Sequence, residues 1–380
     1  MSTDGSGFRV DSFHGIPPDV KVVFLTHFHA DHYNGIEDAL GRRGDVTVFC
    51  TEITRTLVLA KFHVPHEQVQ PLQMCEPRLI TPPTAGECAS FTVTPLPANH
   101  CPGSAALLFE FSNGARWLHT GDFRYTEEMQ SVPAWKRAAG VDKLFLDTTF
   151  CDKRTFANFP LKSEAQEQVI GLIQKHIEHG KRISEKSVNV YLRCQSLGTE
   201  EVFLKIKERL GMRTRVSTTL YTTLVKIDPR FKDVVCNEED NGVETESTNC
   251  AIHACNEFPQ KRGPHSLYIR VSAQWSQFSA WSNSAKPKLL DGTWNVLYSG
   301  HSSWNELRDF VSFVQPKSIE PLIACDTSSF CLLKSSLSEG ECLSPPPPPP
   351  KKRRAGDAGT DEQAQLYDDV MKLLDEYNTK

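Results

Sequence analysis

The 380-residue sequence contains no apolar run near the ~18 residues that a membrane span requires, so no spanning helix is expected. Its first ten residues lack a basic stretch followed by a hydrophobic one, so no secretory leader is read there. Its twelve cysteines include no Cys-x-x-Cys pair, and a chain of this size needs no disulfide staples; a reducing compartment is the simpler setting. No Ser-His-Asp arrangement calls for a covalent nucleophile, and no histidine follows His301. Net positive charge is also lacking: the balance is −5, in a composition typical of a soluble protein, 39% hydrophobic and 23% charged. That average hides a local excess, because residues 175–232 carry thirteen Lys/Arg against six Asp/Glu. Such a run is either a solvated face or the footprint of a phosphate backbone.

Over the first 150 residues, short β-rich runs (47–50, 91–96, Ala105–Phe111, Arg116–His119, 143–147) alternate with loops, and the polar chemistry falls at or just after their ends. Near residue 160 the pattern changes. Ser163 with Gln166 reads as a capping box, and Ala165, Val169, Ile173 and Ile177 repeat at helical spacing until Gly180. Val188–Arg193 then reads as a strand and Glu200–Leu210 as a helix closed by Gly211, a second α/β unit. Residues 236–265 read as a loop-rich insertion. The stretch 294–298 reads as a strand leading to a helix that places Leu307, Phe310, Val311 and Val314 on one face.

What the sequence has in abundance is a set of metal-ligand side chains at strand ends. The apolar run Val22-Val23-Phe24-Leu25 stops at THFHADH, which supplies His27, His29, Asp31 and His32. In a core each would need a partner or cost kilocalories of desolvation. Imidazole and carboxylate together suit zinc or a similar divalent ion. His100 follows the run 91–96, Asp122 stands in His119-Thr120-Gly121-Asp122, and His301 sits between a strand and a helix. Each alone is a common loop residue. Together they make a candidate two-ion site in which the two oxygens of Asp122 could bridge. Such a pair activates water and clamps a phosphodiester.

This order of motifs resembles the metallo-β-lactamase superfamily. The strings ANHCPGSAALLFEF, HTGDFRY and LDTTFCD narrow the resemblance to the β-CASP branch, the DNA-repair nucleases of the Artemis and Apollo kind, over residues 8–325. The resemblance implies an α/β fold, a four-layered αββα metallo-β-lactamase sandwich with an inserted β-CASP cap domain. On that basis residues 1–155 form the first part of the sandwich, 156–287 the cap and 288–335 the return segment, with 336–380 a tail. It further implies one metal on His27, His29, His100 and Asp122, and a second on Asp31, His32, Asp122 and His301. Asp11 would buttress the metal loop from behind. Asp147 would close the first half of the sandwich and be required for function, with Asp31 and His301 placed with it at the reacting centre. The implied activity is metal-dependent hydrolysis of DNA in the nucleus, as a 5′-3′ exonuclease, a structure-specific endonuclease or both.

Three other readings are weighed. RNA-processing β-CASP endonucleases carry a further histidine about twenty residues after the position of His301, where this chain has Pro321-Leu322-Ile323. A small-molecule hydrolase would not need the insertion, and a non-catalytic scaffold would have lost ligands. Two departures concern the grip on substrate: Gly300 replaces a glutamate common in the family, and Thr199 a lysine. His253 and Cys255 match a pair that in some members helps hold a structural zinc, with Arg215 near where another ligand is expected and Cys236, Cys250 or His265 as substitutes. The tail holds Pro345 to Pro350, a stiff spacer, then Lys351-Lys352-Arg353-Arg354, of the nuclear-import kind. Its stretch 361–378 reads as an amphipathic helix that docks on the core or on a protein partner.

Overall fold

The computed structural model describes residues 7–82, 90–183, 188–194, 197–239, 250–273 and 286–335. The tail, with its basic run and helical stretch, lies outside the described residues. Four parallel strands, β1 (Phe8–Val10), β2 (Val22–Phe24), β3 (Thr47–Thr51) and β4 (Val69–Leu72), form the first sheet in sequence order. The helices α1 (Ala30–Tyr33), α2 (Ile36–Arg42) and α3 (Glu52–Lys61) connect them. A second sheet of β5 (Arg78–Ile80), β6 (Phe91–Pro97), β7 (Ala105–Phe111), β8 (Arg116–His119) and β9 (Lys143–Leu146) is antiparallel up to β8. The short helix α4 (Pro133–Lys136) lies between β8 and β9.

Alternation along the strands sorts the side chains into layers. Phe8, Val22 and Phe24 of one sheet meet Phe91, Val93, Leu107 and Phe109 of the other in one inner core. Val23, Leu25 and Val48 point outward instead and pack under Ile36, Leu40 and Val58. The outward set of the second sheet, including Leu108, Leu118 and Leu144, is covered by Trp135 and by Leu307, Phe310, Val311 and Val314 near the chain's end. This is the four-layered αββα sandwich.

The insertion is a third, seven-stranded sheet. Its strands are β10 (Val188–Arg193), β11 (Thr214–Val216), β12 (Val235–Asn237), β13 (Cys250–Cys255), β14 (Ser266–Val271), β15 (Lys288–Leu290) and β16 (Thr293–Val296), in the order β12-β11-β13-β10-β14-β16-β15. The helices α5 (Lys162–Arg182), α6 (Glu200–Leu210) and α7 (Thr218–Ile227) cover one face, burying Val190, Ile252 and Ile269. After β16 the chain returns through α8 (Trp304–Val314), adds β17 (Ile319–Pro321) beside β9, and ends its described part in α9 (Thr327–Ser335).

Several expectations need correction. The return does not begin at 288, because β15 and β16 belong to the cap sheet; it begins after Val296. The segment 236–265 is not all loop: β13 lies inside it as a central strand, between β11 and β10. Helix α5 starts at Lys162 rather than behind Ser163, and Glu164 accepts the Leu161 N–H at 3.0 Å. Gly180 does not stop that helix, which runs to Arg182; a Cβ there would lie 2.5 Å from Val188 Cγ1, so glycine lets helix and strand touch. By contrast, α8 is capped as its sequence suggests, with Ser303 Oγ accepting from Glu306 N and the Glu306 carboxylate accepting from Ser303 N. Among the described residues no helix is long and apolar enough to cross a membrane.

Candidate metal centre

The centre forms where strands end. His27 follows β2, His29 caps α1, His100 follows β6 and Asp122 follows β8, and one ligand atom from each lies within 4.8 Å of the others. A second group joins Asp122 to Asp147, after β9, and His301, after β16. His29 Nδ1 stands 3.0 Å from both His27 Nε2 and His100 Nε2. Partners on the far sides of the rings fix which nitrogens hold protons. His100 Nδ1 donates to the Gly300 carbonyl at 2.9 Å. His27 Nδ1 donates at 3.0 Å to Thr26 Oγ1, whose own proton goes to Asp11. The backbone of Leu197 in the cap lies near enough to the His29 ring to favour its protonated form, against the stronger effect of burial. Three imidazole lone pairs thus converge on one point, an arrangement that is repulsive without a cation and suited to one.

Asp122 is the hub of the arrangement. Its Oδ2 lies 3.6 Å from His27 Nε2, 3.4 Å from His32 Nε2, 3.7 Å from His100 Nε2 and 4.0 Å from His301 Nε2. His32 Nδ1 donates to Asp11 Oδ2 at 2.8 Å, and Asp11 also accepts Thr26 N–H and Thr26 Oγ1 at 2.8 and 2.7 Å. Asp11 thus ties His32 to Thr26 across the loop that carries the histidine string. His301 Nδ1 donates at 2.8 Å to Asp147 Oδ2, while Asp147 Oδ1 accepts from the Thr149 N–H and hydroxyl. With its oxygens engaged in this way, Asp147 orients His301.

Electrostatics separates the histidines into two classes. Burial, reinforced by neighbouring imidazoles, holds His27 and His100 well below the usual histidine value. His29 is lowered chiefly by burial, so all three are neutral ligands at physiological pH. Burial also depresses His32, but Asp11 and Asp122 outweigh it and raise that ring to about 11. His301 is raised likewise, Asp147 outweighing burial.

Not every expected residue converges. Asp31 is 80% exposed, with its nearest partner His32 Nε2 at 3.7 Å, and falls outside both groups. His253 and Cys255 share a face of β13, but no third metal ligand joins them among the described residues. His253 instead stacks on Tyr191 at 5.0 Å, beside Arg215. The basic excess over 175–232 is largely engaged: Lys205 pairs with Glu167 and Glu208, Arg209 with Glu167, and Arg213 bonds the backbone of Lys232 and Val235. Three residues not singled out from sequence matter as well. Thr26 relays Asp11 to His27, the Leu197 backbone lies beside His29, and Arg124 clasps the segments around the centre. Only Thr26 carries a signal, a hydroxyl directly before the histidine string.

Comparison with known proteins follows the same division. The description "Beta-lactamase superfamily domain" matches residues 11–179, and "DNA repair metallo-beta-lactamase" matches residues 241–327. The chain belongs to the DNA-repair metallo-β-lactamase family. Within this family, human "DNA cross-link repair 1A protein" is 30% identical over 343 residues, 85% of this chain but 30% of that protein. Arabidopsis thaliana "DNA cross-link repair protein SNM1" is 28% identical across 84% of this chain and 64% of its own length. Human "Protein artemis" is 28% identical across 79% and 45%. The chain thus spans under two thirds of each. A crystal structure of a protein of unknown function from Enterococcus faecalis V583 shares the fold, with TM-score 0.51, 16% identity, and coverage of 79% of this chain and 74% of that one. Metallo-β-lactamase membership and the His/Asp cluster agree on a divalent metal ion as cofactor.

Proposed function

We propose that this chain is a metal-dependent deoxyribonuclease acting in DNA repair, hydrolysing phosphodiester bonds as a 5′-3′ exonuclease, a structure-specific endonuclease or both. The observation that carries the reading is the single Asp122 oxygen set among four imidazole nitrogens. His27, His29, His100 and Asp122 would hold one ion, and His32 and His301 reach the same carboxylate from the other side. Three imidazoles and a carboxylate make zinc the best-suited metal. When bound, divalent ions of this kind activate water near neutral pH and stabilise charge on a phosphodiester. The chain's own contribution is orientation. Asp147 locks the His301 tautomer and turns Nε2 toward the centre, where it can donate to a phosphate oxygen as negative charge builds. The names of the relatives, DNA cross-link repair proteins among them, support DNA as the substrate.

His301→Ala in the full chain should lower turnover on DNA about 10²–10³-fold, the scale of losing one aimed donor, and leave DNA affinity within about twofold. Wild-type turnover in that variant, or faster cleavage of RNA than of DNA by the wild type, would defeat the proposal.

The run Lys351-Lys352-Arg353-Arg354 is proposed to direct nuclear entry, and residues 361–378 to dock a protein partner. Deleting 345–380 should leave cleavage of naked DNA intact and shift a fluorescent fusion to the cytoplasm. Nuclear accumulation without the segment would refute the signal.

A further inference from the structure

The cap sheet carries a second site that the metal centre does not use. Its parallel strands are in register, so side chains opposite α5–α7 line up in two cross-strand rows. One row runs Arg215, His253, Tyr191, Tyr268, and the next Cys255, Arg193, Arg270, Asn295. The first is a stack of rings: Tyr268 lies 5.2 Å from Tyr191 at 8°, and Tyr191 lies 5.0 Å from His253 at 17°. Arg262 caps the Tyr268 end at 4.6 Å.

The arginines of this face lack counter-ions. Among the described residues no carboxylate pairs with Arg193, Arg215 or Arg270, although all three are half-buried. Arg193 Nε donates to the Asn256 carbonyl and Arg270 Nη1 to Asn295 Oδ1, while Arg270 Nε is buried with no partner. Guanidinium groups side by side on neighbouring strands repel, and half-buried charge without a partner is costly. Lys205 and Arg209 of α6, by contrast, are paired with Glu167 and Glu208. Cations gathered with no paired carboxylate among the described residues suit an anion from outside, and guanidinium matches phosphate best.

Spacing selects a polyanion. Arg215 and Arg193 are two strands and two residues apart, roughly 12 Å between their backbones, too far to close on one phosphate. Phosphates two steps apart along one strand span that distance. Cys255, beside Arg193, and Asn256 line a cavity of about 900 Å³ that His29 and Tyr33 of the metal loop also line.

We propose that this face of the cap sheet, opposite α5–α7, binds the phosphodiester backbone of a DNA strand leaving the metal centre, through Arg193, Arg215 and Arg270. The inference rests on the deoxyribonuclease reading, and the experiment separates the two. Binding of a fluorescent 30-nucleotide single strand to the full chain is measured by anisotropy across a salt series, beside hydrolysis of bis(p-nitrophenyl) phosphate, which is too short to reach the face. The triple variant Arg193→Gln, Arg215→Gln, Arg270→Gln should bind about tenfold more weakly, with a log–log salt slope shallower by about 2, and should hydrolyse the small diester normally. The corresponding triple lysine variant should keep most of the slope. Arg215→Gln alone, which breaks no hydrogen bond, should remove about 0.7 of it, so the proposal stays testable if the triple fails to fold. An unchanged slope in both glutamine variants overturns the face, as does poly-glutamate competing at lower concentration than the oligonucleotide. DNA binding through these arginines with no hydrolysis of either substrate would instead defeat the nuclease reading and leave the face standing.

Discussion

Asp122→Asn should strip the protein of metal more completely than any other single change at the centre. The substitution keeps the size of the side chain and removes its charge. One oxygen of this carboxylate lies within 4.0 Å of His27, His32, His100 and His301, so both halves of the site lose their shared anion at once. Loss of an outer partner typically costs 10–100-fold in metal affinity, and this residue stands inside the ring of ligands. Metal content after dialysis, measured by mass spectrometry, should fall well below that of the wild type. Turnover on DNA should drop about 10³-fold, the upper range for losing one electrostatic element. Asp31→Asn, at an 80% exposed position, should retain far more metal. Full occupancy in Asp122→Asn would show that the carboxylate is a bystander.

Arg124→Ala should be the most damaging single change to stability. The guanidinium is 2% exposed and donates to the Pro160 carbonyl at 2.7 Å, the Ser299 carbonyl at 3.0 Å and Glu306 Oε1 at 3.0 Å. Those partners lie on the entry to the cap, the return from it and α8. Alanine leaves two carbonyls and a carboxylate without their donor, a loss of about 3–5 kcal/mol for a broken buried pair. Lysine should rescue little, since one ammonium cannot replace a planar fork. Urea unfolding checks this. A loss under about 1 kcal/mol, typical of an exposed ion pair, would mean that the clasp contributes little.

How far the site was legible depended on how local its logic is. His27, His29, His100 and Asp122 announce themselves because each is a polar residue placed after a buried strand, where a core would reject it. Asp11 and Asp147 were legible only through resemblance, since nothing near them in sequence says what they hold. Arg124 was invisible: its partners lie 36, 175 and 182 residues away, and a lone arginine after a strand has many uses. The strand CAIHAC was obscured by its polar surroundings, because inward Cys250, Ile252 and Ala254 alternate with small or polar neighbours on an open face. The charge excess located its cations only coarsely, for a different reason. Composition counts cations, whereas binding depends on cations left unpaired, and that is decided by helix neighbours such as Glu167 and Glu208.

The three imidazoles at the centre meet three different parts of the chain. His27 leans on Thr26 beside it and His100 on Gly300 in the return segment, while His29 lies beside the Leu197 backbone of the cap. An ion held by all three would therefore cross-link stretches far apart in sequence, and its affinity would include the work of bringing them together. Reciprocity follows: whatever draws the cap inward must tighten the hold on the ion, and loading the ion must favour the closed cap by the same factor.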